Sequence, residues 1–324
     1  MTQAHSRQRM VRRVGLVVDP EGRKLKGRPV AIQITALLAT AVLTACSVGN
    51  PAVSIEPSPS PTYAPVPSST SEVRLADVKV TTAEYRPGVE ADLHLRIAGS
   101  TQPVLVLVPG GAWETANRSG LTPLASSLAE AGVVVVNARV RAASDGVIYP
   151  APVEDVLCAL AFGVARAKGA GVRVGQLLIF GHSSGAHLAA LAALQPDRYS
   201  PSCEDSLVTP DGLIGLSGLY DVGLVSDLAA SLFGAASEED PGAWDEGNPI
   251  AQAHRRSDLP VLLLHGSSDE LVPIPFTTDF AEALESGGHQ VTLIVVENAD
   301  HHSIYSPEVA GELLLEWIRN VADG

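Results

Sequence analysis

The pentapeptide Gly181-His182-Ser183-Ser184-Gly185 is the stretch of this chain best equipped for covalent chemistry. Residues 174–180 before it are an apolar run of strand length, and residues 186–194 after it read as a buried helix. A serine between such a strand and helix, within G-x-S-x-G, sits on a sharp turn that exposes its hydroxyl. Glycines at 181 and 185 fit a turn too tight for Cβ atoms on its flanks. A serine hydroxyl is a weak nucleophile at neutral pH. It needs a base within hydrogen-bond reach and a carboxylate to orient that base.

Both partners are expected beyond the carboxyl ends of later strands, where the working groups of parallel sheets gather. The carboxylate candidate is Asp269, in a loop leaving the apolar run 261–265; Asp221, after another strand, is the second choice and reads as structural. Glu270 is adjacent but fits the loop less well. The base is His301 or its neighbour His302, after the last strand. The chain order serine, acid, histidine matches this arrangement. Three backbone N–H groups can meet an oxyanion: those of Gly111 and Ala112, after the apolar run 104–108, and that of Ser184, just past the nucleophile. Trp113 is expected to pack under this loop and line an acyl pocket. His187 reads as a packed core histidine, while His182 and His265 shape the site. The Asp300-His301-His302 run lacks the further ligands a metal needs, and no organic cofactor is called for.

The elements that must position these groups follow from hydropathy period. Residues 73–85 and 89–97 alternate around Pro87-Gly88, which predicts an antiparallel hairpin at a sheet edge. Buried strands are expected at 104–108, 133–136, 174–180, 212–216, 261–265 and 290–296. Helices are expected at 121–131, 152–167, 186–194, 277–286 and 307–321. This alternation predicts an α/β fold: a mostly parallel central sheet with helices on both faces. Residues 222–255, rich in glycine, proline and acidic groups, read as an irregular segment forming a small cap.

The N-terminal end reads as an address. Residues 1–45 hold eight Lys/Arg against two Asp/Glu and end in an apolar stretch, 30–45, too short to span a membrane comfortably. Leu43-Thr44-Ala45-Cys46 resembles the bacterial lipoprotein signal, in which Cys46 becomes the lipidated first residue. Residues 46–71, with prolines interleaved among Ser and Thr, form a tether that cannot order itself, and 72–324 is the folded domain. Beyond residue 45 there are 14 basic and 34 acidic side chains, which excludes nucleic acid as a partner. The expectation is an exported, extracytoplasmic protein anchored to the cell membrane by lipid. In that oxidising setting Cys158 and Cys203 are expected to pair. Nothing in the sequence fixes the oligomeric state.

Taken together the motifs resemble the α/β-hydrolase superfamily, in its carboxylesterase/lipase branch with the feruloyl-esterase-like proteins and kynurenine formamidase. Pro109-Gly110-Gly111-Ala112-Trp113 is similar to that branch's H-G-G-x-W oxyanion motif, with proline in place of histidine. Gly181 to Ala189 is similar to G-H-S-A-G-G-H-L-A, with Ser184 for alanine. Asn137-Ala138-Arg139 and Tyr149 to Val156 resemble its N-Y-R and F-P-A-x-x-x-D-V stretches. Asp300 to Ile304 is similar to D-H-F-S-I, and that resemblance selects His301 over His302 as the base. It implies a serine hydrolase of small-molecule carboxylic esters. Amide cleavage by the same triad, or a non-catalytic cell-envelope binding role on the same scaffold, are the alternatives.

Overall fold

In the computed structural model, residues 78–97 and 99–322 are described. The signal, the tether and Cys46 lie outside them, as do residues 73–77 of the expected first strand.

One eight-stranded sheet runs through the domain in the order β1-β2-β4-β3-β5-β6-β7-β8. The strands are β1 Lys79–Arg86, β2 Val89–Leu95, β3 Thr101–Val108, β4 Val134–Ala138, β5 Arg173–His182, β6 Gly212–Leu216, β7 Val261–Gly266 and β8 Val291–Val296. The hairpin β1-β2 is antiparallel, as is β2-β4, and every other pairing is parallel. Among the described residues seven α-helices accompany them: α1 Thr122–Glu130, α2 Ala151–Gly169, α3 Ser184–Leu194, α4 Ser226–Phe233, α5 Pro241–Glu246, α6 Pro275–Ser286 and α7 Pro307–Ala322.

The two-residue period of a strand decides what each face of this sheet covers. On β3, Val104, Val106 and Val108 join one core with α2 and α3, whereas Leu105 and Leu107 join another with α1 and α7. All five are fully buried, so the strand reads as a continuous apolar run instead of an alternating one. Helix α3 is buried on every side, and so carries almost no polar face.

The segment 222–255 is more regular than expected: it contains α4 and α5. Both are short, and glycines and Asp240 delimit them, so the punctuation dominates the sequence pattern. Asp240 caps α5 by accepting from the Ala243 N–H, and Gly234 ends α4 in the left-handed conformation. Helix α5 turns inward, stacking Trp244 on Phe233 with ring centroids 4.4 Å apart.

Cys158 on α2 and Cys203, in the loop after α3, form a disulfide with Cα atoms 5.3 Å apart. The bridge spans 45 residues, for which the loop-entropy argument gives about 4 kcal/mol of stabilisation. Reduction, or Cys203→Ala, is expected to lower the melting temperature by several degrees while leaving the circular-dichroism spectrum of the folded protein intact. An unmoved melting temperature would show that the bridge constrains nothing.

Candidate active site

Ser183 sits where β5 ends and α3 begins, with φ 55° and ψ −127°. A side-chain residue in that region is strained, at about 1–3 kcal/mol, and persists only where its surroundings leave no alternative. Here they leave none. The Ser183 N–H donates to the Leu216 carbonyl of β6 at 2.9 Å. A Cβ on Gly185 would lie 2.4 Å from the carbonyl oxygens of Val108 and Pro109 at the end of β3, so the elbow closes only on glycine.

Asp269 leaves β7 in a tight loop that fixes both carboxylate oxygens. Oδ1 accepts from the N–H groups of Leu271 and Val272, each at 2.9 Å. Oδ2 accepts from His301 Nδ1 at 2.8 Å. Burial opposes the charge on Asp269, but the hydrogen bonds from Val272 and His301 outweigh it, and the carboxyl is held below its usual range. An ionised carboxylate can only accept, so it is Nδ1 of His301 that donates in this bond, which leaves Nε2 as the ring nitrogen not engaged by Asp269. His301 and Ser183 line one cavity of about 500 Å³ at the carboxyl ends of the strands. His302 also lines this cavity, but among the described residues its side chain hydrogen-bonds no carboxylate.

Three further histidines frame the site, each with its pKa pushed down by burial, which favours the neutral ring. His182 Nε2 donates to the His301 carbonyl at 2.8 Å, and its ring lies 4.6 Å from those of both His301 and Tyr305. Burial first, then the neighbouring His301, push the His182 pKa down to about 3. His265 Nε2 donates to the Val272 carbonyl, and its Nδ1 accepts from the Thr277 hydroxyl at 2.7 Å. His187, on α3, donates through Nε2 to the Gly247 carbonyl at 2.7 Å and accepts the Trp113 indole N–H at 3.2 Å.

The loop after β3 runs through three successive residues of positive φ: Gly111 at 147°, Ala112 at 54° and Trp113 at 59°. A Cβ on Gly111 would fall 2.1 Å from the Thr115 carbonyl oxygen, so this turn also requires glycine. Among the described residues, the N–H groups of Gly111, Ala112 and Ser184 have no hydrogen-bond partner. Gly111 and Ala112 line the cavity, and Ser184 opens α3 just behind it. The expectation for Trp113 is corrected in one respect. It packs beneath the loop, but its bond to His187 draws the indole into the core, and it does not line the cavity. Asp221 caps the 3-10 turn Val222–Val225 and accepts from Asn248, a structural role. Sequence reasoning passed over Asn117, Leu228 and Tyr305, all on the cavity; none stands in a chemically telling motif, and only the fold brings them there.

A parallel sheet with an antiparallel leading pair, a strained serine after its fifth strand and an acid-histidine pair on later loops define the α/β-hydrolase fold. The chain belongs to the BD-FAE family, whose model matches residues 92–284. It is similar to the probable carboxylic ester hydrolase LipM of Mycobacterium tuberculosis, at 30% identity over 203 residues, 59% of this chain and 46% of that one. Esterase LipQ of the same organism is 28% identical over 230 residues, 67% of this chain and 54% of that one. The chain thus spans about half the length of these relatives. Among solved structures, a thermophilic esterase from the planctomycete Thermogutta terrifontis with propionate bound superposes with TM-score 0.59 at 20% identity, over 75% of this chain and 96% of that one. A truncated carbohydrate esterase from gut microbiota superposes at 0.64 and 19%, over 78% and 99%.

The buried histidines make stability depend on pH. His187 is forced down to about 4 by burial, against about 6.5 when unfolded. The unfolded chain therefore binds more protons between those values, and stability falls as pH drops from about 6.5 towards 4. For His187 alone the loss is on the order of 3 kcal/mol. Urea unfolding at pH 7 and pH 4.5 is expected to show a smaller difference in His187→Gln than in the wild type. An equal difference would remove His187 from the account.

Proposed function

We propose that this protein is a serine hydrolase of carboxylic esters acting through an acyl-enzyme on Ser183. The observation that carries the reading is the buried Asp269–His301 pair on the same cavity as a serine held in strained geometry. His301 Nε2 takes the Ser183 proton as Oγ attacks the ester carbonyl. Asp269 keeps the imidazole in that tautomer and stabilises its cation. The tetrahedral oxyanion is met by the N–H groups of Gly111, Ala112 and Ser184. His301 then returns the proton to the departing alcohol, and water releases the acid by the reverse path. The curated relatives named for ester hydrolysis support the bond type.

Ser183→Ala is expected to lower kcat by up to about a million-fold, and Asp269→Asn by about ten-thousand-fold. Gly111→Ala, by displacing the loop, is expected to lower kcat by about a hundredfold or more. Turnover retained in Ser183→Ala would refute the mechanism. A second reading is favoured by one relative: kynurenine formamidase avaC of Aspergillus versicolor is 28% identical over 224 residues. Matched ester and amide substrates separate the two; a kcat/KM favouring the amide would make this chain an amidase.

We also propose that the enzyme works outside the cytoplasm, anchored through lipid on Cys46 and carried on the tether of residues 46–71. The lipoprotein-like Leu43-Thr44-Ala45-Cys46 and the proline-rich sequence after it support this. Cys46→Ala is expected to move the protein from the membrane to the soluble fraction. Equal membrane association would contradict the anchor.

A further inference from the structure

Two chemically different walls meet at Ser183. One is built from the segment after β6 running into α4 and from the Asp269 loop running into α6: Leu219, Val225, Leu228, Leu271 and Phe276 present aliphatic and aromatic surface without a polar side chain among them. Leu228 and Leu271 also line the cavity and are 44% and 65% exposed, so this apolar surface reaches solvent. The cavity is also lined by Asn117, His302 and Tyr305; Tyr305 packs on the core of α1 and α7 and meets the His302 ring edge-on, whereas Leu219, Val225 and Phe276 pack with the core of α2 and α3 on the other face of the sheet. Asn117 uses its Oδ1 to accept from Ser119, which leaves its Nδ2 donors for the cavity. Among the described residues, neither the Tyr305 hydroxyl nor the His302 ring has a hydrogen-bond partner.

Mechanism decides which wall serves which half of an ester. The departing alcohol must take its proton from His301, so it lies on the side of that residue's own loop, with His302 and Tyr305. Tyr305 lies on this side beside Gly120, in the 3-10 turn Arg118–Leu121 before α1, and packs edge-on against His182. The acyl chain leaves the carbonyl carbon in the other direction, along the leucines. A cavity of about 500 Å³ lies within the range of pockets, about 300–1,000 Å³, that enclose whole small ligands, so both halves fit at once.

Resting on the serine-hydrolase reading above, we propose that the substrate is an ester joining a medium-length aliphatic acid to an alcohol rich in hydroxyl groups. Val225, Leu228 and Leu271 read the acyl chain. Asn117, His302 and Tyr305 hydrogen-bond the hydroxyls. Burying methylenes along the apolar wall favours longer acids over acetate, and the unpartnered donors and acceptors opposite reject an alkyl alcohol that leaves them unsatisfied.

The test is kcat/KM for two series on the full-length protein. The first varies the acid from acetate to decanoate on p-nitrophenol. The second fixes octanoate and varies the alcohol among butyl, glyceryl and glucosyl, which also separates an acylglycerol from an acyl sugar. The wild type is expected to prefer octanoyl to acetyl, and at least one hydroxylated alcohol to butyl, each by about tenfold or more. Leu228→Trp is expected to cut the octanoyl/acetyl ratio about tenfold and leave the alcohol ratio in place; Leu271→Trp, also on an exposed side chain, is a second variant of the same kind. Tyr305→Phe combined with Asn117→Ala is expected to do the reverse. Walls that exchange these effects, or wild-type ratios near one in both series, would overturn the assignment while leaving the serine-hydrolase reading standing. A folded wild type that turns over no ester in either series would overturn both.

Discussion

A single backbone conformation governs this structure: Ser183 at positive φ, with a side chain where glycine is the usual tenant. The elbow holds because three strands converge on it. β5 delivers it, β3 presses its last carbonyls against Gly185, and β6 accepts the Ser183 N–H at Leu216. A parallel sheet buried on both faces is what makes those strand ends immovable. The two aliphatic cores, one against α2 and α3 and the other against α1 and α7, clamp β3 and β5 from above and below. The strain at one residue is thus offset by packing spread over much of the domain.

Electrostatics does the complementary work around it. Burial holds His182 and His187 neutral far below their ordinary titration range, so they act as fixed hydrogen-bonding fittings. His182 ties the His301 backbone to the elbow strand, and His187 ties the Trp113 end of the loop after β3 to α3. The proposed base and the proposed oxyanion donors are therefore both tethered to elements flanking Ser183. That is the preorganisation acyl transfer needs, since donors set in advance do not have to reorganise as charge develops.

Much of this was legible in the sequence, and the exceptions have physical causes. The apolar runs at β3, β5, β6 and β7 fall within a few residues of the observed strands, because a strand buried on both faces leaves no other pattern. Ser183, Asp269 and His301 converge because each stands at a strand's carboxyl end, which the alternation of elements places on one edge. The helices within 222–255 were not legible, since eight-residue α4 and six-residue α5 are too short for a periodic signal. Trp113 was placed under the right loop, but its turn inward depends on a bond to His187, 74 residues away. The polar wall of Asn117, His302 and Tyr305 comes from two loops that only folding brings together.

The central claim is that Ser183 is a nucleophile activated by His301. The most direct measurement is labelling of the folded protein with a fluorophosphonate probe, followed by peptide mapping, in the wild type, His301→Ala and His302→Ala. The account predicts one adduct, on Ser183, lost in His301→Ala and kept in His302→Ala. No adduct on the folded wild type, or an adduct that survives His301→Ala and disappears in His302→Ala, would contradict it.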